Sequence, residues 1–86
     1  MDNILTIKKD LVERVRVRRR EGKISQTELA KRSGVSFGSI RRFETTGEIS
    51  LASLLRIAVV LGYDADFEKL FVRKNYQSID EIINEK

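Results

Sequence analysis

Residues 25–47 read SQTELAKRSGVSFGSIRRFETTG, and this stretch decides the fold. Ser25-Gln26-Thr27-Glu28 is a capping box. The Ser25 hydroxyl can accept from the Glu28 amide while the Glu28 carboxylate reaches back to the Ser25 amide. Ile24 and Leu29 flank the box as a hydrophobic staple. Ser36 repeats the arrangement with Val35 and Ile40, without an acidic third residue. Each cap is worth about 1 kcal/mol, so two helix starts are encoded here. The expected helices run from Gln26 to Ser33 and from Phe37 to Thr45, with a loop at Gly47.

Between the two helices stands Arg32-Ser33-Gly34-Val35-Ser36. Gly34 sits where the chain must turn sharply, and glycine takes positive φ at no steric cost. Ala30 lies where the second helix should cross the first, and its small side chain permits close approach. Leu29, Val35, Ile40 and Phe43 then form a small core between them. This is the physical pattern of a helix-turn-helix, although a helical hairpin in any bundle shares part of it. The combination of capping box, Ala30, Gly34 and apolar spacing points to DNA binding.

Outward from this stretch, apolar residues keep a helical period, so the class is all-α. Val15-Arg16-Val17-Arg18 alternates like a strand over four residues, but its flanks favour helix. A first helix is expected from about Ile7 to Glu21, stopped by Gly22, with Leu11 and Val15 facing the core. Ser50, with Ile49 and Leu54, caps a fourth element from Leu51 to Leu61, stopped by Gly62. There Leu51, Leu54, Leu55 and Ala58 follow the i, i+3, i+4, i+7 spacing of a buried face. Asp64 is read as the cap of a helix from about Ala65 to Arg73. The second full capping box, Ser78-Ile79-Asp80-Glu81, starts a short helix from Ile79 to Asn84.

Composition bounds the chemistry. The chain has 86 residues, which suits one small domain with a marginal core. With no Cys and no His, zinc fingers, iron–sulfur centres and thiol or imidazole catalysis are excluded. No cofactor or metal is expected, and no nucleophile sits beside a base, so an enzyme is disfavoured. The four Phe and two Tyr form no stacking platform at strand spacing, which disfavours RNA. The longest apolar run, Ile57 to Leu61, cannot span a membrane, and no secretory signal core is present, so the expectation is a cytoplasmic protein.

Charge is lopsided. Residues 1–47 carry twelve Lys and Arg against six Asp and Glu, whereas residues 48–86 carry five against seven. The phosphate backbone of nucleic acid is the obvious partner for the front half, a solvated helix face being the plainer reading.

The string Gln26-x-x-Leu29-Ala30-x-x-x-Gly34-Val35-Ser36-x-x-x-Ile40-x-x-Phe43-Glu44, followed by Leu54-x-x-Ile57-Ala58-x-x-Leu61-Gly62, resembles the XRE group of repressors, the Cro and cI type. The resemblance covers Leu11 to Gly62. It implies a compact five-helix Cro/cI-like helix-turn-helix domain whose third helix enters the major groove. The short extra C-terminal helix lies outside that pattern. Residues 1–62 would form the DNA-binding core, and residues 63–86 a helical extension of the same domain for dimer or partner contact.

On the third helix, 100° per residue puts Phe37, Gly38, Arg41 and Arg42 opposite Ile40 and Phe43. Arg41 is the best candidate for bidentate contact with guanine, or else for a phosphate. Arg42, nearer the edge of the face, is suited to phosphate. Ser39 lies closer to the core side, with a polar contact available at the groove wall. Phe37 departs from the family, where a polar residue commonly opens this helix. It either contacts a thymine methyl or folds back on the protein or a partner. Gly38 replaces another common contact residue and lets the backbone approach closely. Gln26 matches a family residue that touches phosphate and braces the recognition helix, where the positive helix end also favours phosphate. Ser36 could add a phosphate contact, although capping explains it fully. The resemblance further implies a structural ion pair between Arg19 and Glu44.

The back half carries surplus apolar residues. Val59, Val60, Phe67, Leu70, Phe71, Ile79, Ile82 and Ile83 suggest a two-fold homodimer or a protein-partner interface, unless the tail only covers the monomer's own core. A narrower likeness joins Arg41 to Leu51 and Leu54 to Ala58 to HipB-type antitoxins. It implies the alternative of an antitoxin that binds a kinase-like toxin and represses its own operon.

Overall fold

The structure, a computed structural model, describes residues 2–74. Those residues form α1 (Asp2–Glu21), α2 (Gln26–Ser33), α3 (Phe37–Thr46), α4 (Leu51–Leu61) and α5 (Ala65–Glu68), with no strand among them. The capping box at Ser78, the helix from Ile79 to Asn84 and the interface residues Ile79, Ile82 and Ile83 lie outside the described residues.

The three serine caps form as expected. Ser25, Ser36 and Ser50 hold extended backbone, and each hydroxyl accepts from the amide three residues on. Only half of the capping box at Ser25 is built. Glu28 turns away from the Ser25 amide and takes Arg32 one turn further on, at 2.8 Å. An i, i+4 ion pair on an exposed helix face competes easily with the reciprocal cap.

Both ends of α1 and both ends of α5 depart from the expectation, in extent or in capping. α1 begins at Asp2 and not near Ile7, because extending a nucleated helix through residues with no Gly or Pro costs little. At its other end the left-handed residue is Lys23 at φ 57°, beyond the expected stop at Gly22. α5 ends at Glu68, well short of Arg73, where amides bond only three residues back and Phe71 then takes φ 62°. Asp64 does not cap it, for its backbone is already helical and its side chain makes no capping bond.

The core has two adjoining parts. Ile24, Leu29, Val35, Ile40 and Ile57 fill one, with Ala30 and Val15 packed at its edge. Val12, Phe43 and Leu54 fill the other, flanked by Leu11, Val15 and Phe67. On α1 the buried face is therefore centred on Val12 and Arg19, while Leu11 and Val15 are half-buried. On α4 the buried stripe is Leu54, Ile57 and Ala58, and Leu51 is exposed because the first turn overhangs the core. Truncating Leu29 or Ile40, each wholly buried, should cost about 2–5 kcal/mol. Arg18 lies over the Tyr63 ring and pairs with Glu21, which joins the end of α1 to the chain after α4. No helix among the described residues is long and apolar enough to cross a membrane.

Candidate nucleic-acid interface

The α2–α3 turn is built from its own side chains. The Gly34 amide donates to the Ala30 carbonyl at 3.0 Å with φ 76°, and the Ser33 hydroxyl accepts from the Val35 amide. Val35 is buried, so the turn hangs on the core and fixes the angle between the helices.

α3 is anchored by Ile40 and Phe43, both buried. Its other face, Phe37, Gly38, Ser39, Arg41 and Arg42, is exposed. Ser36 accepts from the Ser39 amide and donates to the Ser39 hydroxyl at 2.8 Å. Ser39 thus sits on the exposed side, tied to the cap, and not toward the core. No acidic residue stands in the first turn of α3, so its positive end is not neutralised locally. A Cβ added at Gly38 would meet nothing within 4 Å, so the fold itself does not require glycine there.

Arg41 has no carboxylate partner among the described residues. Its guanidinium lies over the Phe37 ring, 5.8 Å from the centroid. Phe37 is 43 % exposed and has not folded into the core. Arg42 projects near Glu48, whose carboxyl sits below its ordinary range. Most of that lowering comes from a hydrogen bond and the charge of Lys8, with Arg42 a lesser cause.

Beneath this face lies a charged brace. Arg19, only 8 % exposed, donates through Nε and Nη2 to the two oxygens of Glu44 at 2.8 and 3.1 Å. Its Nη1 donates to the Ile24 carbonyl. Gln26 Nε2 donates to Glu44 Oε1 at 3.0 Å, so the first residue of α2 holds the end of α3. Arg16 was missed in the sequence. Its Nε lies 3.6 Å from Glu44 Oε1, shut off from solvent and without a hydrogen-bond partner. The available signal was its place one turn before Arg19 on the same helix face.

The interface residues divide. Val60 and Phe67 are half-buried against this chain's own core. Val59, Leu70 and Phe71 are exposed, as is Val72 beside them. Ile4 and Leu5, in the unforeseen first turn of α1, and Ile7 just after it add more exposed apolar surface.

The profile described as helix-turn-helix matches residues 15–67, more than half of the chain. No curated protein and no solved structure matches.

Proposed function

The chain belongs to the XRE-type helix-turn-helix family, whose members are DNA-binding transcription regulators, and from that premise we propose a sequence-specific dimeric repressor that reads the major groove with α3. One observation carries the reading. The exposed face of α3 holds two arginines and no acid, and it is braced from below by Arg19, Gln26 and Glu44. Arg41 supplies base contact and Arg42 phosphate contact. Ser36, Ser39 and the backbone at Gly38 lie close enough to α3's exposed side to meet the groove wall. Gln26 serves first as a brace and adds phosphate contact only at its rim.

The second copy docks on the exposed apolar residues Val59, Leu70 and Phe71. Exposed Leu70, Phe71 and Val72 favour it, since adjoining apolar side chains left in water mark an interface. Two copies would read half-sites about 34 Å apart on one side of the duplex. In the antitoxin alternative, the same surface would hold a toxin instead.

Selection of random duplex DNA by the purified chain at two salt concentrations tests the reading. A two-fold symmetric motif is expected. Retention without a motif, vanishing at higher salt, would leave only backbone attraction by the basic front half and overturn it.

A further inference from the structure

Exposed phenylalanine on a groove-facing helix is costly unless something covers it. Phe37 opens α3, and the N-terminal residues of a recognition helix lie nearest the base edges. Its neighbours on that face suit the groove wall and the phosphates better than the base edges. Ser36 and Ser39 bond each other, Gly38 has no side chain, and Arg42 stands in the field of Glu48. Phe37 and Arg41 remain, and they are already in contact, guanidinium over ring at 5.8 Å. Such contacts hold an arginine in one orientation before it binds.

Resting on the DNA-reading role proposed for α3, we propose that Phe37 and Arg41 act as one reading unit for a guanine adjacent to a thymine. Arg41 donates to guanine O6 and N7, and the Phe37 ring rests on the thymine C5 methyl. Base pairs stack about 3.4 Å apart. A ring centred 5.8 Å from the guanidinium carbon is within reach of the neighbouring pair when the guanidinium is level with the guanine. The thymine methyl is the one apolar group which the major groove offers there. A phosphate role for Arg41 would leave the ring over the charged backbone, where it gains nothing. Because the ring orients the guanidinium, the two contacts should be coupled.

The test uses the full chain and the duplex chosen by the random selection. Deoxyuridine in place of the thymine removes only its methyl. It should weaken wild-type binding about fourfold, the worth of one buried methyl group. Phe37→Ala should bind both duplexes equally. 7-Deazaguanine removes the N7 acceptor and should cost the wild type about fivefold but Arg41→Ala nothing. Arg41→Lys keeps the charge and can still donate to O6 or N7, so it should keep the salt dependence and weaken, without abolishing, the guanine preference. The deoxyuridine probe needs no variant, so misfolding cannot obscure it. A selected motif without guanine beside thymine, or a deoxyuridine duplex bound as tightly as the original, overturns this unit while leaving the repressor standing. Selection of no motif removes both. A Phe37 covered by a partner protein would show as indifference to the methyl.

Discussion

At the scale of single residues, Glu44 is the most heavily bonded carboxylate among the described residues. Its carboxylate collects Arg19 through two bonds, Gln26 through one, and the nearby charge of Arg16. Glu44→Ala would leave Arg19 almost buried with two of its three hydrogen bonds lost. The expected loss is about 3–5 kcal/mol, read as a shift in the urea midpoint with unchanged slope. Gly38 makes the opposite case. Alanine fits there without contact, so Gly38→Ala should stabilise the fold by about 0.5–1 kcal/mol by thermal unfolding. The same variant should weaken DNA binding, because the added methyl stands between α3 and the groove. Pairing of Arg19 with Glu44 was legible only through family likeness, since nothing in their spacing says that they meet. The bracing role of Gln26 came from the same likeness, whereas Arg16 shares a helix face with Arg19 and only tertiary placement brings it to Glu44.

At the scale of elements, local chemistry was the readable part. Ser25, Ser36 and Ser50 announce their helices because a side-chain cap is a short-range bond. The buried face was read one position off on α1, and on α4 Leu54 and Ala58 are buried as expected while Leu51 gives way to Ile57. Leu11 and Leu51 are as apolar as Val12 and Ile57, and only the packing partner decides which of them turns inward. α5 failed as a long helix because its apolar residues past Glu68 find no core to pack on. The turn after α3 is a stricter element. Gly47 holds φ 79°, and a Cβ there would come within 3.2 Å of the Lys8 side chain. Gly47→Ala should therefore destabilise the protein by about 1–2 kcal/mol from backbone strain alone, measurable by urea unfolding. It should also loosen the contact between Lys8 and Glu48, which spans that turn.

At the scale of the whole molecule, the exposed face of α3 carries two arginines and no acid, and apolar surface is left over elsewhere. A chain this small buries too little to leave Leu70, Phe71 and Val72 in water without purpose. Leu70→Ser combined with Phe71→Ser should leave the helical content intact, since neither side chain enters the core. If the proposed dimer forms through this surface, the variant should sediment as a monomer at concentrations where the parent sediments as a dimer. Its affinity for a two-half-site duplex should fall to that for a single half-site. The placement of α3 across the major groove is the central claim. Dimethyl sulfate interference on the selected duplex tests it most directly, because the reagent marks guanine N7 in the major groove and adenine N3 in the minor groove. Interference at guanine N7 in two patches about one helical turn apart is the expected result. Interference confined to adenine N3, or none at any base, would contradict it.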